Sequence, residues 1–148
     1  MKFFCWLLLH DRLNTRNMLK RRHYNVGNTS NCTVSTLGVE ETVEHLFFHC
    51  PFSKDCWAKL GMSFPHHLQA DRLHLVSHAK INWNIGMFMD VFAIAAWNIW
   101  KQRNNLYFNA INPDLSSWVA RFKEDFLLLV HRTKEDRHPA IHSFLDSL

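Results

Sequence analysis

Apolar residues fall into several separated runs, and most repeat at helical spacing. Phe3 to Leu13 is apolar until it meets His10-Asp11-Arg12, and it predicts a buried helix. Asn14 and Thr15 are N-cap residue types that predict a second, short helix from Arg16 to about His23. Gly27 to Ser30 is a loop, and Cys32 to Glu44 is a polar turn with room for a small hairpin around Gly38. Glu44 to Phe48 either begins a helix or leads straight into Pro51. Pro51 suits the first position of a helix ending at Leu60, with Phe52, Cys56, Trp57 and Leu60 on one side and Gly61 as its stop.

Residues 62–84 have weak periodicity and predict an irregular connection with at most one short helix. The clearest helical pattern runs from Gly86 to about Asn109, through Phe88, Val91, Phe92, Ala95, Ile99 and Trp100. Asn112-Pro113 then predicts another start, a cap followed by a first helical residue. Trp118, Phe122, Phe126 and Val130 lie on that helix's apolar face, and His138-Pro139 breaks the chain before a short amphipathic end. The pattern predicts a mainly α fold. It comprises a helical domain with a small irregular knuckle-like turn, followed by two long amphipathic helices.

Composition narrows this picture. The 148 residues suffice for a real core, 47% of them are apolar, and Gly and Pro number four each, too few for a turn-rich sandwich. Six Trp and twelve Phe suit a helical core packed by large side chains, or faces that meet a partner. The net charge of +4 and pI near 9.0 are a mild basic bias, compatible with nucleic acid but equally with simple solubility. No apolar stretch reads as a signal peptide or a membrane span, so the four cysteines are expected in a reducing compartment, where a Cys/His cluster reads as metal before disulfide.

That cluster lies between Cys32 and Cys50. Cys32, His45 and Cys50 supply two thiols and an imidazole, the donors zinc prefers, at knuckle-like spacing. The fourth position, Ser35, carries a hydroxyl, which stays protonated where a thiol ionises and is a poor ligand. Three ligands and a water would hold zinc weakly, or the turn persists by packing alone. An open fourth position also resembles catalytic zinc, but no pattern assigns Glu41 or Glu44 as its base. A second metal site built from His66, His67, His74 and His78 is a weaker alternative, since no further ligand of suitable spacing follows.

The surrounding residues resemble a known family. Phe4-Cys5-Trp6 through Arg16, Cys32-x2-Ser35, Glu41-Thr42-x2-His45-Leu46-Phe47-Phe48-x-Cys50-Pro51-Phe52-Ser53 and Trp57 are similar to the zinc-binding domain that follows the reverse transcriptase in plant non-LTR retrotransposons. Ala96-Trp97-Asn98-Ile99-Trp100-Lys101-x-Arg103-Asn104 resembles the helix linking that domain to ribonuclease H. The resemblance implies a zinc domain over residues 1–62, truncated at its N-terminal side, a connection over 63–85 and a helical linker over 86–148. It implies the metal ligands Cys32, His45 and Cys50, a second cysteine where Ser35 stands, and nuclear residence. It makes the chain a partial copy of the element.

The same reading implies a non-catalytic accessory that contacts RNA or DNA. No Asp-Asp pair and no converging carboxylates occur to serve a polymerase or a ribonuclease H. Arg12, Arg16, Lys20, Arg21 and Arg22 form a basic segment before Asn25, and a helix there would put Arg12, Arg16 and Lys20 on one face toward phosphate. Lys101 and Arg103 read as complements to a helix C-terminus, Trp97 and Trp100 as core, and Cys5 and Cys56 as small buried hydrophobes. The alternative is a structural or protein-interaction remnant whose aromatic helices dock on another chain.

Overall fold

The computed structural model describes residues 1–65, 71–83 and 86–148. Among these residues the fold is helical and contains no strand. Its α-helices are α1 (Lys2–Leu9), α2 (Arg16–Arg21), α3 (Pro51–Lys59), α4 (Arg72–Asn82), α5 (Phe88–Asn109), α6 (Leu115–Leu127) and α7 (His138–Asp146).

Several boundaries depart from the pattern for local reasons. Helix α1 stops at Leu9 rather than Leu13, because the chain turns at Asp11 with a left-handed φ of 54°. Leu13 is still buried, so its apolar character marks core and not helix. Thr15 does cap α2, its hydroxyl accepting from the Met18 amide at 3.3 Å. Arg12 therefore lies in the turn before α2 and shares no helix face with Arg16 and Lys20. The cap of α6 is Asp114, which accepts from the Ser117 amide at 2.6 Å, two residues beyond the expected Asn112. The connection after Gly61 holds an eleven-residue helix, α4, capped by Asp71.

The long helix α5 organises the molecule. Helices α1, α3 and α6 all pack on it, and α7 closes over α6. One hydrophobic cluster runs from Phe4 to Leu145. Trp57 of α3 stacks on Phe92 of α5 at 5.4 Å, and Phe4 of α1 meets Trp97 edge-on at 5.1 Å. At the other end Trp118, Phe122 and Phe126 form a stacked series along α6, and Phe144 of α7 meets Phe126 at 5.5 Å. Such pairs add about 0.5–1.5 kcal/mol each beyond area burial. No helix among the described residues is long and apolar enough to cross a membrane.

Candidate metal centre

The knuckle is built from two backbone devices. The first is a minimal hairpin: Asn31 and Glu40 form an antiparallel bridge, the Cys32 amide donates to Val39 O at 2.8 Å, and the Glu41 amide donates to Ser30 O at 2.9 Å. Gly38 makes its turn with φ of 67°, a conformation that suits a residue without Cβ. This hairpin presents Cys32.

The second device is a π-helical turn over His45–His49, closed by the Cys50 amide donating to His45 O at 2.6 Å. Residues five apart on an α-helix point about 140° away from each other. The wider turn brings Cys50 back over His45, so the spacing of four intervening residues becomes a pair of neighbouring donors. The turn leaves carbonyls to satisfy, since Pro51 has no N–H for Leu46 O. The Ser53 hydroxyl donates to Leu46 O at 2.5 Å, and the Trp57 indole donates to Phe47 O at 2.6 Å. Both side chains are buried, so the Pro51-Phe52-Ser53 and Trp57 segment serves to finish this turn.

Together these devices bring Cys32, His45 and Cys50 into one group, with donor atoms all within 4.8 Å of one another and all three residues buried. Donors on a tetrahedral zinc lie about 3.5–3.8 Å apart, so the side chains need only a small contraction to close on the ion. All four cysteines are free thiols. Ser35 stands at the same centre, its Oγ 3.3 Å from His45 Nε2. A hydroxyl there is placed to hold a metal-bound water, or to bind weakly itself. The donor set and its spacing fit zinc.

The electrostatics of the two thiols differ. A hydrogen bond from Cys50 holds Cys32 well below the ordinary thiol range, against the cost of burial and with help from His45 and the amides of Val34 and Ser35. Cys50 is pushed up by the same hydrogen bond, by burial and by the negative charge on Cys32. The amides of Phe52 and Ser53 at the start of α3 oppose that rise. The pair thus shares one proton, which a metal ion would displace.

One functional element is invisible to sequence spacing. Arg103, sixty-two residues further on, donates to Glu41 Oε1 through Nε at 3.1 Å and through Nη2 at 2.6 Å. The pair is buried, with side-chain exposures of 3% and 0%. The Arg16 amide donates to the same oxygen at 2.9 Å, and the guanidinium of Arg103 lies 4.7 Å from the Tyr107 ring. Arg103 is therefore the anchor that ties the hairpin to α5, where the sequence suggests only a complement to a helix end. Lys101 likewise pairs with Asp125 at 2.8 Å.

The basic segment is dispersed. Arg16 donates to Val26 O at 2.7 Å and Thr29 O at 2.5 Å, which commits its guanidinium to the loop. Lys20 faces Glu40 at 3.7 Å, Arg21 pairs with Asp11 at 2.9 Å, and Arg22 donates to Asn14. Arg12, Lys20, Arg21 and Arg22 remain exposed. His74 bonds Asp71 and His78 bonds Asn82, both on the surface, while His66 and His67 lie outside the described residues. The triad is the metal-competent group among the described residues.

Comparison with known proteins agrees with this geometry. No curated protein and no solved structure matches the chain. Residues 1–57 match the family model for zinc-binding in reverse transcriptase, a span that contains Cys32, His45 and Cys50. The match covers 57 of the 148 residues, and over that span the chain is similar to the zinc-binding domain of reverse transcriptase.

Proposed function

We propose that this chain is a retroelement-derived, non-catalytic module of the plant non-LTR type. It holds zinc through Cys32, His45 and Cys50 and contacts RNA or DNA as an accessory to a reverse transcriptase. The observation that carries this reading is the convergence of three zinc-type donors inside the segment matched by the reverse-transcriptase family. When bound, zinc would cross-link the hairpin to the π-turn, a structural role. Arg12, Lys20, Arg21 and Arg22 supply the phosphate contacts. Exposed ion pairs such as Arg21–Asp11 contribute little and exchange readily for a phosphate. Arg16 acts indirectly, by holding the loop that follows α2.

Metal content tests the first half. Purified protein is expected to carry zinc that a chelator removes, and Ser35→Cys is expected to hold it more tightly. At zinc a hundredfold above Kd the metal adds about 2.7 kcal/mol of stability. Failure of both forms to retain zinc overturns the metal role. Salt-dependent binding to mixed RNA and DNA tests the second half. The slope of log K against log salt should be about −0.9 per phosphate neutralised, and Arg21→Gln should reduce it by about one contact. Absence of binding at low salt overturns the nucleic-acid role.

A further inference from the structure

Helix α1 buries Phe4, Cys5 and Leu8 and turns a second aromatic stripe to solvent. Phe3, Trp6 and His10 fall at positions i, i+3 and i+7, which share one face of a helix and its cap. Phe3 is 72% exposed and Trp6 46%, and neither belongs to the core cluster. Their rings form a ladder: Phe3 and Trp6 are 6.2 Å apart and within 9° of parallel, and Trp6 and His10 are 4.7 Å apart. The His10 ring is fixed by a 2.8 Å hydrogen bond between Nδ1 and Trp6 O. The Arg12 guanidinium lies 5.9 Å from the Trp6 ring.

The flanks of this ridge are grooved. On one side a cleft of about 950 Å³ runs between α1, α5 and the turn after α6, with Lys2 and Arg132 on its lining and Asp90 as its acidic member. On the other a cleft of about 390 Å³ is bordered by Arg12, Asn14 and the rings of Trp97 and Trp100. Three cations against one carboxylate surround an exposed aromatic ridge. Packing explains the inward face of α1 and leaves this outward one unexplained.

We infer that the Phe3–Trp6–His10 ladder is a stacking platform for unpaired nucleic-acid bases. A base laid on the open face of Phe3 continues the ladder, and its backbone phosphates lie toward Lys2, Arg12 and Arg132. Every base has a π-face, so the platform is tolerant of sequence, and a duplex cannot use it because its bases are already stacked. This inference rests on the nucleic-acid half of the proposed function and names the strand type and the residues that read it. A protein partner or a second copy of this chain would meet the same apolar surface without needing flat rings or cations.

The test uses the full chain, labelled oligo-dT and oligo-U, and a duplex of equal length. Phe3→Leu and Trp6→Leu keep apolar area and remove the π-face, and Phe3→Trp keeps it. Circular dichroism and metal content should be unchanged in all three, since both positions lie outside the core. Each Leu variant should weaken single-strand binding by about five- to a hundredfold, Phe3→Trp should preserve it, and duplex binding should be unaffected. Unchanged single-strand affinity in both Leu variants, or an equal loss on duplex, overturns the platform and leaves the proposed function standing. So does a wild-type dimer that Trp6→Leu converts to monomer with no change in oligonucleotide affinity. Absence of any binding by the wild type at low salt overturns both readings together.

Discussion

The knuckle and the aromatic stack beneath α7 share one core but differ in what else holds them. Around Cys32, His45 and Cys50 there is little regular structure, and beside the buried Leu46, Phe47 and Phe48 side chains the chain is fixed by single bonds: the Glu41–Arg103 pair, the Ser53 hydroxyl and the Trp57 indole. Around Trp118, Phe122, Phe126 and Phe144 the chain is ordinary helix, and area burial does the holding. The first region fails when one partner is removed. The second loses stability in proportion to the volume removed. A metal bound at the knuckle therefore acts where the hairpin meets the π-turn, on the segment that the Glu41–Arg103 pair holds to α5.

The largest effects come from removing one member of each region. Arg103→Ala leaves the Glu41 carboxylate buried without its cation, a change that costs about 3–5 kcal/mol. It also frees the hairpin that carries Cys32, so zinc affinity should fall with it. Phe122→Ala opens a cavity at a fully buried position and costs a similar amount, about 3–5 kcal/mol. There the zinc affinity of the folded protein should not change. Urea unfolding with and without zinc, beside a direct zinc titration, separates the two. If Arg103→Ala lost stability while zinc affinity stayed put, the ion pair would belong to the general core and the contrast would collapse.

A smaller effect should appear with pH, in the metal-free protein. Burial raises the Cys56 thiol, and Cys50 is raised by its hydrogen bond to Cys32 and by burial. A thiol that keeps its proton in the folded state contributes stability below its ordinary pKa, near 8.5. That contribution is lost as pH rises from there toward the raised folded value. Cys32 has the opposite sign: its lowered value favours the folded state above the ordinary thiol range, and that stability is lost as pH falls. Metal-free protein should thus lose stability above about pH 8.5. With zinc bound the Cys50 share of that loss disappears, because the proton has already left, and the Cys56 share remains. Identical alkaline profiles with and without zinc would mean that the metal does not engage Cys50.

The two regions also differ in how they were written in the chain. The second follows from periodicity, because Trp118, Phe122 and Phe126 recur at four-residue steps and helical burial needs nothing more. Its start is less legible, because Asn112 and Asp114 are both good cap types and only the bond from the Ser117 amide decides for Asp114. In the knuckle the three donors could be read from residue type and spacing, but the turn that gathers them could not. Glu44 to Phe48 is compatible with an α-helix or an extended lead into Pro51. The choice of a π-turn depends on Ser53 and Trp57 taking up the carbonyls. The Glu41–Arg103 pair is less legible still. Its partners are sixty-two residues apart, and Arg103 reads locally as any cation near the end of a helix. The exposed stripe of α1 was hidden for another reason: Phe3 to Leu9 is apolar on every side, so sequence alone does not say which rings face out.

The smallest effect tests whether the far end of α5 is independent of the knuckle. Ala110 ends α5 in a left-handed conformation, φ 54°, with its amide bonded to Leu106 O at 3.1 Å and the Ile111 amide to Asn105 O at 3.2 Å. An L-residue there costs about 1–2 kcal/mol, which glycine avoids, less part that returns through the freer unfolded chain. Ala110 is exposed, so its methyl contributes no packing that glycine would forfeit. Ala110→Gly should therefore stabilise the protein by roughly 0.5–1 kcal/mol. Met87 begins the same helix with φ 66°, but its side chain packs on the core, so glycine there should gain less or lose. Seven residues of helix, about 10 Å, separate Ala110 from Arg103. If the knuckle is anchored through that one pair, Ala110→Gly raises the melting temperature and leaves zinc affinity where it was. A parallel rise in zinc affinity would show that α5 transmits order along its length, and that the two regions are one cooperative unit.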